Sequence, residues 1–114
     1  MANTFKLKTK ASLTTSLAAV YTVPSSKTAI ILSISLASKT GNSVTASVQV
    51  SSDTSDTETN ADVYLLSTAP IPSGGTLEVM QGNKLVLQTT DVLKAKASTG
   101  SAVDVIISLM EMDV

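Results

Sequence analysis

The sequence predicts an all-β chain, a single compact sandwich or jelly roll of about eight or nine antiparallel strands over residues 1–114. Three observations predict it. Apolar and polar residues alternate over three long segments, Ser and Thr supply 33 of the 114 residues, and turn signals recur about every ten residues. Short hydroxyl and β-branched side chains suit a pleated, half-buried surface. No window longer than ten residues has the apolar spacing of an amphipathic helix.

Three segments, residues 30–36, 44–50 and 103–109, carry the clearest strand pattern, because every second residue is apolar. Each apolar set is expected to share one face of a strand. These sets are Ile30, Leu32, Ile34 and Leu36; Val44, Ala46, Val48 and Val50; and Val103, Val105, Ile107 and Leu109.

Shorter strands are predicted at residues 4–8, 19–23, 62–67, 76–80, 84–88 and 92–97. They are separated by turns rich in Gly, Pro and Asn, residue types that supply positive φ or preset φ near that of a turn. The polar, acidic stretch 51–61 is expected to be an exposed loop.

The first ten residues are expected to form an N-terminal arm that begins the first strand. Phe5 and Leu7 share one face of that strand, and Lys6, Lys8 and Lys10 share the other, which is expected to face solvent. The alternative for the three lysines is an electrostatic contact with an acidic partner surface.

Composition excludes several functions. The chain has no His or Cys, which removes the usual zinc site, an iron–sulfur cluster, a thiolate nucleophile and a Ser–His relay. The carboxylates of residues 53–62 lack the glycine and spacing of a calcium loop. Gly74-Gly75 is not followed by the Lys-Ser/Thr of a phosphate loop. We therefore expect no enzyme, no cofactor and no metal.

The charge and hydropathy of the sequence argue against a nucleic-acid or membrane partner. The net charge is −1, with eight Lys and no Arg, whereas a nucleic-acid binder usually carries a basic patch containing Arg. No apolar run approaches the length of a membrane span, and polar residues interrupt the apolar part of residues 1–23, so no signal peptide is expected. We expect a soluble chain made in the cytoplasm that binds neither nucleic acid nor membrane.

The candidate contact residues are apolar or cationic side chains near the two ends of the chain, together with one tyrosine. Residues 106–112 are apolar on both faces, which is typical of a central strand or of a subunit contact. Tyr64 would suit either an interface anchor or a half-buried position. The full set is Phe5, Lys6, Lys8, Tyr64, Met110 and Met112.

Three parts of the sequence resemble small virion structural proteins of tailed bacteriophages. The first is Val20–Ile31, the second Tyr64–Leu66 with Ala69–Glu78, and the third Lys84–Leu87 with Thr90–Leu93 and Asp104–Glu111. The resemblance covers about three-quarters of the chain, and residues 51–61 are its main departure. It implies a non-enzymatic virion component and carries no catalytic residues.

Composition and resemblance together favour a capsid decoration (cement) protein in the virion. Its partners would be the major capsid protein or other virion proteins, and it would be a homo-oligomer, with a trimer expected because a lattice offers three-fold sites. Two alternatives stay open. One is a neck or tail accessory protein; the other is a fibre-borne module that binds a host receptor or glycan, which would need exposed aromatic residues or a calcium-dependent loop.

Overall fold

The computed structural model describes residues 3–52 and 62–113, and it confirms the all-β fold class with nine strands in two antiparallel sheets. No helix within these ranges is long and apolar enough to cross a membrane. Residues 53–61, which include most of the predicted acidic loop, lie outside the described residues. The strands are β1 (Asn3–Lys10), β2 (Ala18–Thr22), β3 (Lys27–Ser38), β4 (Val44–Ser51), β5 (Asp62–Ile71), β6 (Thr76–Glu78), β7 (Leu85–Leu87), β8 (Val92–Ala97) and β9 (Val103–Asp113).

The two sheets divide the strands non-sequentially. Sheet A has the order β1-β9-β3, and both β6 and β7 pair with the far side of β3. Sheet B has the order β2-β8-β4-β5. The segment expected as an N-terminal arm therefore contains β1, which pairs with β9 along its whole length.

The core lies between the sheets and consists of aliphatic side chains from every second strand position. The alternation predicted in β4 and β9 is confirmed, because their apolar sets are all buried. Burial of these side chains is the main favourable term in folding, at roughly 1.5–3 kcal/mol for each large aliphatic group.

In β3, the residues that face the core differ from those predicted by the alternation. A register shift between Ile31 and Ser33 marks a β-bulge at Leu32, and an extra residue exchanges the two faces of a strand beyond it. The buried residues are consequently Ala29, Ile31, Ile34 and Leu36. The prediction that Ile30 and Leu32 share a face with Ile34 and Leu36 is wrong, and Ile30 lies on the outer face of sheet A.

Glu78 joins β3 to the strands at its edge. Its Oε2 accepts hydrogen bonds from the backbone N–H of Ile34 (3.2 Å) and of Met80 (3.1 Å), and its Oε1 accepts one from the Ser35 hydroxyl (3.0 Å). β6 and β7 pair with different parts of β3, and Ile34 lies between those parts. The Glu78 carboxylate accepts the hydrogen bond of the Ile34 N–H there, as a backbone carbonyl of a neighbouring strand would.

Replacing Glu78 with Ala should lower the free energy of unfolding by about 2 kcal/mol, because three donors lose their acceptor in a half-buried place. The matched variant Glu78→Gln keeps one carbonyl oxygen and should lose less. Urea denaturation measures both. Equal stability of Glu78→Ala and the wild type would contradict this role.

Ser38, at the end of β3, is 5% exposed, and its hydroxyl finds no hydrogen-bond partner among residues 3–52 and 62–113. A buried hydroxyl without a partner is destabilising. We expect Ser38→Ala to raise the free energy of unfolding by up to about 1 kcal/mol, while Ser43→Ala, at an exposed position, changes it little. Thermal denaturation compares the two variants, and a loss of stability in Ser38→Ala would contradict the prediction.

Candidate docking surface

The orientation of β1 is the reverse of the one predicted. Lys6 and Lys8 stand opposite the buried Leu109 and Ile107 of β9, whereas Phe5 stands opposite Met110. Residues directly opposite each other in a sheet point to the same face. The lysines therefore point towards the inner face of the sandwich, and the expectation that they form the solvent face is wrong.

A buried carboxylate explains this orientation. Glu111 of β9 is 2% exposed; its Oε1 lies 2.8 Å from the Lys6 ammonium and its Oε2 accepts a 2.6 Å hydrogen bond from the Tyr21 hydroxyl. An ionised carboxylate removed from water needs such partners. The outer half of the lysine side chain still reaches solvent, since Lys6 is 40% exposed.

The same contacts set the protonation of Glu111 and Tyr21. Burial alone would raise the pKa of Glu111, but the hydrogen bonds from Lys6 and Tyr21 and the charges of Lys6 and Lys8 outweigh it, so the pKa is lowered from 4.5. Burial and the neighbouring carboxylate raise the pKa of Tyr21. Glu111 stays ionised and Tyr21 stays a donor, and together they link β9 to β1 and to the opposite sheet.

The outward side chains of sheet A form a continuous apolar row across four strands. Phe5 of β1 stands beside Met110 of β9, Met110 beside Ile30 of β3, and Ile30 beside Val86 of β7. Leu7 and Ile106 extend this row along β1 and β9. We call these six residues the outer apolar surface: Phe5, Leu7, Ile30, Val86, Ile106 and Met110.

The outer apolar surface is exposed to an unusual degree for large apolar side chains. Phe5 is 73% exposed, Leu7 64%, Val86 60% and Ile106 42%. Contiguous exposed apolar patches of this kind are typical of surfaces that associate with another molecule, which makes this face the candidate docking surface. No outward residue is charged in the row of Phe5 or in the row of Leu7, so the surface suits a protein partner rather than a polyanion.

A cleft of about 290 Å³ lies at one end of this surface, between Ile106, Ala37 and Lys10. Asp104 forms its polar wall and accepts a 2.8 Å hydrogen bond from the backbone N–H of Ser12, and lies 3.0 Å from the ammonium of Lys39. The hydrogen bond from Ser12, and to a smaller extent the one from Lys39, lowers the pKa of Asp104.

The predicted contact residues fall into three places. Phe5 and Met110 belong to the outer apolar surface, and Met112 lies one row beyond it, opposite Asn3. Lys6 and Lys8 lie on the inner side of β1. Tyr64 lies on the other sheet, opposite Gln49 of β4, and is 46% exposed.

Ile30, Val86 and Ile106 are not among the contact residues predicted from the sequence. Two of them carried a signal, because Val86 and Ile106 are apolar residues at positions where the alternation of their strands calls for a polar one. Ile30 carried none, since its outward position depends on the bulge at Leu32.

Comparisons with known proteins bear on the fold. No protein-family model matches the chain, and no curated protein matches it. A chain in the structure of Bacillus endospore appendages, described as disulfide-linked pili, is 13% identical with a TM-score of 0.50 over 99% of this chain and 88% of that one. A chain in the acid-stable capsid of Helicobacter pylori bacteriophage KHP30 is also 13% identical with a TM-score of 0.50, over 100% of this chain and 95% of that one. The chain thus shares a whole-domain β-fold with proteins of two multi-subunit assemblies.

Proposed function

We propose that the chain is a non-enzymatic structural protein of a bacteriophage virion, and specifically a capsid decoration protein that stabilises the capsid lattice. The observation that carries the proposal is the outer apolar surface, in which Phe5, Leu7, Val86 and Ile106 are exposed in the isolated chain. Such a face is suited to cover a protein surface.

Three further observations support this proposal. The fold is similar to that of a chain in a phage capsid, and the three parts of the sequence named above resemble phage virion proteins. Two ion pairs lie near the candidate surface, Lys6–Glu111 and Lys39–Asp104. Side chains paired in this way favour a structural role over catalysis.

Repeated docking would make the assembly tight. A lattice presents the same site many times, and a homo-oligomer such as a trimer can engage several sites at once, so weak single contacts sum to strong attachment. The partner in this proposal is the major capsid protein.

The likeness to a pilus chain suggests a filament as a second kind of assembly, but the link between subunits would have to differ from that of the pili. The Bacillus appendages are described as disulfide-linked, whereas the 114 residues of this chain contain no cysteine. A neck or tail accessory protein would use the same kind of surface in a ring of six or twelve copies. Its copy number in the virion would be far lower than that of a decoration protein, so copy number distinguishes the two. A fibre-borne adhesin predicts binding on a glycan array.

Particles assembled without the chain test the proposal. They should release their DNA at a lower temperature than complete particles, and purified chain added back should restore the higher temperature. A fluorescent dye that reports released DNA during heating measures both. Equal heat resistance with and without the chain would contradict decoration.

A further inference from the structure

The free edge of β1 differs from the other sheet edges. β1 pairs with β9 through eight residues without a register shift, and no described strand pairs with its other side. At the remaining edges, β2 has a register shift, β5 has two shifts and contains Pro70, and β6 and β7 have three residues each. Short strands, bulges and proline protect an edge from pairing, and so do lysines that point inward. Among the described strands, β1 offers a long edge without a register shift, and its protection consists of Lys6, Lys8 and Lys10, which act against a cationic or unmatched strand but not against an acidic one.

The two faces of β1 define the strand that could be added. Phe5 and Leu7 point outward and are 73% and 64% exposed. Lys6, Lys8 and Lys10 point to the opposite face. Lys6 forms an ion pair with Glu111, and Lys8 acts on Glu111 through its charge alone. Lys8 and Lys10 are partly buried, and neither lies in an ion pair among the described residues.

The strand already paired with β1 shows which chemistry fits. At that end, β9 presents the acidic Glu111 on the lysine face and the apolar Met110 and Met112 on the face of Phe5. Opposite charges and apolar pairs stabilise neighbouring strands, whereas like charges directly opposite destabilise them. A second copy adding through its own β1 would set lysine against lysine, so the edge favours a different partner.

We propose that the free edge of β1 accepts an extended segment of a partner protein in which acidic and apolar residues alternate. The acidic residues would pair with Lys8 and Lys10, and the apolar residues would extend the outer apolar surface past Phe5 and Leu7. Main-chain hydrogen bonds supply affinity in such strand addition, and the alternating side chains supply specificity. The identity of the partner as the capsid protein rests on the proposed function, whereas the chemistry of the edge does not.

A synthetic peptide tests this edge directly. A short peptide alternating Glu with Val and Thr should bind the full chain, shift the NMR signals of β1 and protect its amides from hydrogen exchange. A peptide of the same pattern with Lys in place of Glu should bind at least about tenfold more weakly, because its charges oppose those of β1.

Charge exchange on the protein supplies the matched control. Lys8→Glu with Lys10→Glu should weaken binding of the Glu peptide about tenfold and create binding of the Lys peptide. Lys94→Glu with Lys96→Glu makes the same change of net charge on β8, where the two lysines are also partly buried, and should leave both affinities unchanged. The single variant Lys10→Glu, further along β1 from Glu111, repeats the test if the double variant does not fold.

Several results would overturn the proposal. They are absence of peptide binding, equal binding of the two peptides, protection centred on β5 instead of β1, or an equal effect of the β8 control. If the Glu peptide binds to β1 but this chain is absent from virions, this inference stands and the proposed function is refuted. If this chain is abundant on capsids but its β1 does not bind the peptide, the proposed function stands and this inference is refuted.

Discussion

Replacement of Glu111 with Ala is expected to lower the free energy of unfolding at neutral pH by about 3 kcal/mol. The variant leaves the Tyr21 hydroxyl buried without its acceptor and the Lys6 ammonium without its counter-charge, and loss of one partner from a buried pair is strongly destabilising. Glu111→Gln keeps an acceptor for Tyr21 and should cost about 2 kcal/mol. Urea denaturation followed by circular dichroism measures both variants.

A neighbouring ion pair on the same strand supplies the control. Asp113 pairs with Lys27, but the two side chains are 41% and 35% exposed. An exposed pair contributes less than about 1 kcal/mol because water and salt screen it. Asp113→Asn should therefore cost much less than either Glu111 variant, and an equal cost would show that burial does not set the strength of the Glu111 contacts.

The Glu111 contacts also predict a pH dependence with a definite sign. The folded-state pKa of Glu111 is lowered from its ordinary value of 4.5, so the unfolded chain binds the proton more readily than the folded chain. The stabilisation is complete above pH 4.5 and is lost as the pH falls through the folded-state value. The difference in unfolding free energy between wild type and Glu111→Gln should shrink on acidification below pH 4.5, and a constant difference would contradict the account.

The double variant Phe5→Thr, Leu7→Thr should abolish docking on particles that lack the chain while leaving the fold intact. Burial of two large apolar side chains contributes roughly 3 kcal/mol, which corresponds to about a hundredfold loss of affinity. Thr suits a strand, and both residues are largely exposed in the isolated chain, so the free energy of unfolding should change by less than about 1 kcal/mol.

Sheet B offers the matched control for this variant. Val63 and Tyr64 of β5 are 54% and 46% exposed and lie away from the outer apolar surface. Val63→Thr with Tyr64→Thr should co-sediment with the particles like the wild type. Wild-type binding by the Phe5/Leu7 variant, or an equal loss in the Val63/Tyr64 variant, would refute docking through sheet A.

The sequence was most informative where a strand is regular. Strand β9 keeps strict alternation, and β4 departs from it at the buried Ser47, so the apolar buried faces of both could be predicted from apolar spacing alone. In β3 a single bulge at Leu32 reversed the phase of the residues before it. Alternation specifies which residues share a face only while the register holds.

The candidate surface was harder to predict because it depends on contacts distant in sequence. The face that β1 turns outward is set by the buried Glu111, more than a hundred residues along the chain, which draws Lys6 inward. The row from Phe5 to Val86 exists only once four separate strands are placed in register. Phe5 and Met110 were nonetheless expected as contact residues, because large apolar side chains near the chain ends stand out in a sequence rich in Ser and Thr.

Copy number in purified virions tests the central claim most directly. Quantitative mass spectrometry would give the amount of this chain relative to the major capsid protein. Decoration of the lattice predicts an amount close to that of the capsid protein. A few per cent or less would contradict decoration and favour the neck or tail, and absence from the particle would contradict a virion role altogether.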